Sequence, residues 1–369
     1  MELLSNVIVG GGIAGLFTAW ELARSGAEVT VLERNPRPAR ESSWAGGGIL
    51  SPLYPWRQPD EITRLARWSQ DRFPALCREL ADRAGIDPQY LQSGLLVHAP
   101  GEEAQALAWA DEWGLEAEVL DGAHTRALEP ARKEPPESML WFPRVAQVRN
   151  PRLTKALANA LQSEGVEIQT GVEVRALHPE DRDLLLLETD RGRLKAATAM
   201  VCAGAWSRKL LEPLGMAPEI RPVRGQMLLF RTRPGLIRHV VLEEDRYIIP
   251  RKDGRVLFGS TLEEAGFEKT TTEAARKELH EIALSRFPVL ADYPVERHWA
   301  GLRPGSPSGI PYIGRHPEIG NLFINSGHYR NGVVLGPASA RLVADLVLGR
   351  EPVLDPDPYG FTAKRPATL

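Results

Sequence analysis

The sequence predicts an α/β protein with a two-domain α+β arrangement: a Rossmann-like nucleotide-binding domain joined to a domain built on an antiparallel sheet. Three observations carry this prediction. The first 33 residues run strand, glycine-rich turn, helix, strand and acid, in that order. Three later runs, Gln226-Met227-Leu228-Leu229-Phe230, Tyr247-Ile248-Ile249-Pro250 and Val256-Leu257-Phe258-Gly259, read as strands of an antiparallel sheet. The 369 residues also exceed what one hydrophobic core usually organises.

Val7-Ile8-Val9 is a β-branched run that reads as a buried strand, and it ends in Gly10-Gly11-Gly12-Ile13-Ala14-Gly15. Leu16, Ala19, Trp20 and Ala23 then recur at helical spacing until Gly26, and Glu28 to Leu32 forms a second strand closed by Glu33. Gly10, Gly12 and Gly15 occupy the G-x-G-x-x-G positions, which need a tight turn, close backbone approach to a pyrophosphate, and a helix packed hard on a strand. The helix N-terminus presents free N–H groups to phosphate. Glu33, about 20 residues on, can accept from ribose hydroxyls, which favours FAD or NAD over a 2′-phosphorylated nucleotide.

Composition removes several classes of function. The formal charge of −3 lacks the basic excess that displaces counterions from nucleic acid. Cys77 and Cys202 match no CxxC pattern and read as reduced, partly buried thiols of a cytoplasmic protein. The eight histidines show no metal-ligand spacing, so no metal is expected. The apolar N-terminus has no cationic segment and is broken by glycines, and no other run is long enough for a membrane span. The proline-rich Glu129 to Pro136 reads as a surface loop, and the tail after Pro358 as poorly ordered.

A second glycine-rich segment, Glu41-Ser42-Ser43-Trp44-Ala45-Gly46-Gly47-Gly48-Ile49-Leu50, follows the second strand. It suits a backbone lying flat against a planar ring, with Ser42 and Ser43 as phosphate donors and the N–H groups of Gly47 to Leu50 facing a flavin. Further along come Val201-Cys202-Ala203-Gly204-Ala205-Trp206-Ser207, Pro222-Val223-Arg224-Gly225-Gln226, Trp299-Ala300-Gly301-Leu302-Arg303-Pro304 and Gly327-His328-Tyr329-Arg330-Asn331-Gly332. With these segments the sequence resembles the D-amino-acid oxidase family over nearly its whole length, and within it the bacterial glycine oxidases of thiazole (thiamine) biosynthesis.

The resemblance implies a discontinuous layout. Residues 1–50, 146–214 and 306–369 would form the FAD-binding domain, and 51–145 and 215–305 the substrate-binding domain. Local patterns agree: a helix over Pro151 to Glu164, strands over Val166 to Gln169, Asp183 to Thr189 and Thr198 to Ala203, and a last helix opened by Gly336-Pro337. The N-terminus of that helix would point at the flavin pyrimidine ring.

The resemblance also assigns residues. Non-covalent FAD would be held by Gly10, Gly12, Ile13, Ala14, Gly15, Glu33, Arg34, Ser42, Ser43, Ala45, Gly46, Gly47, Gly48, Leu50, Val174, Ala203, Gly204, Trp206, Arg303, His328, Arg330, Asn331, Gly332 and Val333. Arg303 matches the family's carboxylate-binding arginine and Tyr247 the tyrosine that shares that carboxylate. Arg330 matches a position near the substrate amine, and Leu262 a pocket-wall position. Read from the residues alone, Arg303 could be a solvated loop arginine, Tyr247 a core aromatic, and Arg330 a bridge between backbone carbonyls.

The implied reaction is oxidation of glycine or a similar small amino acid to its imine, with O2 reduced to peroxide and no acid–base side chain required. The loop Leu53-Tyr54-Pro55-Trp56-Arg57-Gln58 would narrow the cavity to small substrates. Alternatives are a dehydrogenase passing electrons to a quinone, an oxidase of sarcosine or N-alkylglycines, and a non-catalytic FAD-binding or RNA-modifying module. A homo-oligomer is also implied.

Overall fold

The computed structural model describes residues 3–181 and 184–366, and these form two eight-stranded sheets. The first sheet has the path Tyr312–Arg315, Leu322–Ser326, Gly192–Val201, Leu3–Val9, Val29–Glu33, Glu167–Thr170. Its middle pairs are parallel, whereas Tyr312–Arg315 joins antiparallel at one edge. Val174–Asp181 and Leu184–Thr189 form an antiparallel meander against Gly192–Val201. Asp183, expected to start one of these strands, lies outside the described residues.

Both faces of this sheet are covered, as a parallel sheet requires. Ile8, Val31 and Met200 pack under the helices Ile13–Ala23, Asn150–Ser163 and Gly332–Val347. Val7, Val9 and Val201 point the other way, into Leu177, Leu185 and Leu187. The period-two alternation of strand side chains explains the split. The helix Ile13–Ala23 is buried nearly all round, with Trp20 and Phe17 among its fully enclosed side chains.

The second sheet has the order Val295–Gly305, Arg221–Arg231, Arg255–Gly259, Arg246–Pro250, Val240–Glu243, Leu95–His98, Ser138–Phe142, Glu118–Asp121. It is antiparallel as expected, with one exception: Val240–Glu243 and Leu95–His98 run parallel. These two strands come from segments far apart in the chain, so no hairpin dictates their direction. One face carries Leu228, Phe230, Ile248 and Phe258 against the helix Glu273–Arg286. The other carries Met227, Tyr247, Ile249 and Leu257 toward the first sheet.

Three local expectations are corrected. The last helix begins at Gly332, a turn before Gly336-Pro337, so Pro337 lies inside it. The proline removes only one interior N–H, and dense packing against Ile13–Ala23 retains the turn. The chain after Pro358 is docked: Tyr359 is buried with its hydroxyl donating to Glu61 O, and Phe361 packs on Tyr312. Residues 367–369 lie outside the described residues. The Glu129 to Pro136 segment is a loop, yet Glu129 is fully buried and accepts from the Arg238 and His239 amides.

Candidate active site

A long cavity runs between the two sheets, from the carboxyl ends of Leu3–Val9 and Val29–Glu33 to the inner face of the antiparallel sheet. Open α/β sheets bind ligands at such a point, where neighbouring strands connect in opposite directions. At its first end Gly10 has φ +110°, and a Cβ on Gly15 would come within 2.0 Å of Gly10 O. The helix can meet the strand this closely only without that atom. Gly15 does not line the cavity; it brings the helix down onto the turn that does.

Glu33 closes its strand at 6% exposure. Its Oε2 accepts from Gly11 N at 2.8 Å, and its Oε1 from Asn35 N and Nδ2, both at 2.8 Å. The carboxylate is fixed by three donors and keeps lone pairs for a further one. Beside it, the Arg34 guanidinium lies 3.6 Å over the Trp206 ring, and Phe267 packs on that ring at 5.4 Å. Gly12, Ile13, Ala14, Val174, Ala203 and Gly204 line the same part. Cys202 lies beside it with its thiol turned toward Thr18, and burial pushes the thiol pKa up to about 12.

The second glycine segment opens with a short helix, Ser42–Ala45. Ser43 Oγ accepts from Ile13 N at 2.8 Å, so its own proton stays free to be donated. Ser42, Ala45, Gly46, Gly47 and Gly48 line the cavity. Trp299 Nε1 donates to Ala45 O at 3.1 Å, and a Cβ on Gly301 would meet Ala45 Cβ at 2.5 Å. The alternation of Trp299, Gly301 and Arg303 on one strand face therefore seats this segment beside Arg303.

Leu50 departs from expectation. Its amide donates to Ala146 O at 2.8 Å and its side chain is buried in the core, facing a neighbouring second cavity, so it is unavailable to a flavin. Leu262 is 42% exposed and outside the cavity. In the 53–58 loop only Leu53 lines the cavity, because Tyr54 and Trp56 are turned into the core.

At the far end the guanidinium of Arg303 reaches across the neighbouring strand, where a Cβ on Gly225 would lie 2.2 Å from Nη1. The Arg303 Nη1 donates to Thr261 O at 3.2 Å and Arg224 O at 3.4 Å, and Nη2 to Ser260 Oγ at 2.6 Å. Among the described residues no carboxylate pairs with it, whereas Arg224 is paired with Glu263 and Arg330 with Asp245 at 3.4 Å. Burial lowers the Arg303 pKa, Arg330 adds to that by repulsion, and the adjacent Tyr247 opposes it. Tyr247 is 7% exposed, with Oη 3.2 Å from Ser260 Oγ.

Tyr329, Arg330, Asn331, Gly332 and Val333 also face the cavity, at the start of the last helix. His328, 3% exposed, lies next to them. Ser339 Oγ donates to Leu335 O at 3.0 Å, so it accepts from His328 Nε2–H at 3.0 Å. Burial lowers this histidine to about 4. An unfolded chain binds a proton near pH 6.5 that the fold refuses until about pH 4, so stability falls as pH drops through that window. The slope from this group approaches about 1.4 kcal/mol per pH unit. Thermal melting of the FAD-saturated protein from pH 7 to 4.5 should flatten in His328→Gln; an unchanged pH dependence would remove the assignment.

Two residues escaped sequence reasoning. Asn150 is fully buried on the cavity wall between Gly46 and Gly48, and neither amide atom has a protein partner. Arg251 is buried and donates to Gly47 O at 2.7 Å, Val148 O at 2.9 Å and Gln147 Oε1 at 2.6 Å, with burial lowering it to about 9. Its turn, Arg251-Lys252-Asp253-Gly254, reads as an exposed charged hairpin and gives no signal. The only hint of Asn150 was its place just before a helix-opening proline.

The residues present fit FAD. A fixed acid stands at one end, side-chainless backbone and an unpartnered buried amide stand along the wall, and uncompensated positive charge stands at the other end. Fold and cavity together define a flavin-dependent oxidoreductase. The chain belongs to the FAD dependent oxidoreductase family, whose model matches residues 6–346. It is 45% identical over 354 residues to a glycine oxidase of Pseudomonas aeruginosa, covering 96% of this chain and 97% of that protein. A Pseudomonas putida glycine oxidase is 44% identical over 358 residues, covering 96% and 97%. The crystal structure of glycine oxidase from Geobacillus kaustophilus superposes with a TM-score of 0.94 at 29% identity, covering 99% of this chain and all of that one. Among the described residues no helix is long and apolar enough to cross a membrane.

Proposed function

We propose that the chain oxidises glycine to its imine with O2 as electron acceptor, giving glyoxylate, ammonia and H2O2. The observation that carries this reading is the Arg303 guanidinium, which faces the cavity without a carboxylate partner. A half-buried charge without a counter-ion is costly, and a substrate carboxylate supplies one. Three of the five N–H donors point at protein acceptors, which leaves two for the two oxygens of that anion. The likeness to glycine oxidases supports a small amino acid as the rest of the ligand.

In this reading the 10–15 turn, Glu33, Arg34, Ser43 and Trp206 would hold the nucleotide end of FAD, and Gly46 to Gly48, with Asn150 between them, its ring. Asn331, Gly332 and Val333 put the N-terminus of the last helix on the cavity wall, where it would stabilise negative charge on a reduced flavin. When bound, FAD would supply a hydride acceptor for the substrate Cα–H and a route for the electron pair to O2. The protein's work is alignment: Arg303 and Tyr247 fix the carboxylate end, and the positive charge of Arg330 favours the neutral amine over the ammonium. The Cys202 thiol, kept protonated by burial, and the hydrogen-bonded neutral His328 leave no activated nucleophile here, in keeping with non-covalent FAD.

Tyr54 and Trp56 do not fill the cavity, which favours sarcosine and short N-alkylglycines as secondary substrates. Peroxide release measured across glycine, sarcosine, D-alanine and N-ethylglycine tests the reading, with glycine expected to give the highest kcat/KM. Turnover on an artificial acceptor with no peroxide from any of the four would sink it.

A further inference from the structure

Ser260 follows the strand Arg255–Gly259 and is 1% exposed. Its hydroxyl is the only side-chain atom among the described residues hydrogen-bonded to both Arg303 and Tyr247. An arginine N–H can only donate, so Ser260 Oγ accepts from Arg303 Nη2 at 2.6 Å. That bond points the serine proton away from the guanidinium; Tyr247 Oη, which in this structure donates to Ser260 Oγ at 3.2 Å, is the oxygen that proton can reach once the phenol turns its own proton to a substrate. The phenol's other neighbours are Met227 Sδ at 3.8 Å, a weak acceptor, and the Arg303 guanidinium, which can only donate to it.

A carboxylate can only accept, so Tyr247 serves it only while its own proton is free. A serine that donates to Oη frees that proton, and chained hydrogen bonds strengthen one another. Resting on the function proposed above, we infer that Ser260 is a positioning residue. It receives a bond from Arg303 and gives one to Tyr247, so that both present donors to the same substrate carboxylate. The strand order permits this, because Arg255–Gly259 lies between the strand of Tyr247 and that of Gly225, over which the arginine passes.

The contact is with the carboxylate, which does not react. Its loss weakens ground state and transition state alike, so it raises KM and leaves kcat close to its original value. Ser260→Ala in the FAD-loaded enzyme is expected to raise both the KM for glycine and the Ki for acetate, a carboxylate with no amine, by about tenfold. Ser260→Cys nearly keeps the volume but replaces oxygen with a weakly bonding sulfur, and should show the same rise if the alanine variant does not fold. Ser260→Thr keeps the hydroxyl and should restore acetate binding. Adding Ser260→Ala to Tyr247→Phe should cost much less than in the parent, since much of its effect acts through the phenol proton.

An acetate Ki unchanged in the alanine and cysteine variants overturns the inference, as does full additivity with Tyr247→Phe. Arg303→Ala separates the two levels of the argument. If it weakens acetate while the serine variants do not, only the role of Ser260 falls. If acetate binding ignores Arg303 as well, the proposed function falls with it.

Discussion

Arg303→Ala is expected to retain FAD and to lose about 100-fold or more in kcat/KM for glycine. The estimate takes ~3 kcal/mol for a charge-assisted pair, at about 1.36 kcal/mol per tenfold. FAD retention follows from position: the groups that would grip the nucleotide, Glu33, Ser43 and the 10–15 turn, belong to the other sheet and its helices. Substrate loss follows because the other arginine at this end of the cavity, Arg330, already leans on Asp245. Steady-state kinetics beside the visible flavin spectrum read both parts. Near-parental turnover in a yellow Arg303→Ala protein would remove the residue from the account.

Gly15→Ala is expected to do the reverse, weakening FAD binding before any question of substrate arises. The added Cβ would sit 2.0 Å from Gly10 O and 3.2 Å from Ile8 Cγ2. The first obstacle is backbone and cannot rotate aside. The helix Ile13–Ala23 cannot retreat either, because Phe17 and Trp20 are enclosed by the neighbouring helices. Overpacking of this kind costs on the order of 3 kcal/mol. Paid by lifting the helix from the turn, it weakens FAD by roughly 100-fold or more. Titration of the apoprotein with FAD, followed by flavin fluorescence, measures it; unaltered affinity would mean that the turn does not cradle the cofactor.

The contrast between these positions explains what the sequence could and could not disclose. The first 33 residues were readable because local rules agree there: β-branched strand, glycines at fixed spacing, helical periodicity, terminal acid. The fold class followed, and so did the strand at Arg246–Pro250 that carries Tyr247. The parallel pairing of Val240–Glu243 with Leu95–His98 was hidden, since it joins segments separated by well over a hundred residues. Tyr54 and Trp56 misled in a similar way. An aromatic pair in a loop reads as a cavity wall, and only tertiary packing shows it buried beneath the antiparallel sheet.

The residues around the substrate end were legible in part and for unequal reasons. Arg303 stood out by its motif, but nothing in the motif explains Gly225, whose missing side chain lets the guanidinium lie across its strand. Ser260 and Arg251 follow strand ends as unremarkable polar residues, and their importance exists only in contacts made across the sheet. Leu50 and Leu262 show the opposite failure. Each occupies a plausible position in the chain, yet one amide is consumed by Ala146 and the other side chain points to solvent.

The most direct test is a crystal structure of the FAD-bound protein with acetate or glycolate soaked into the cavity. The predicted result places both carboxylate oxygens within about 3 Å of the Arg303 guanidinium, one of them also accepting from Tyr247 Oη, and the α-carbon against the flavin ring. A carboxylate held elsewhere, or an Arg303 side chain turned away from the ring, would contradict the account.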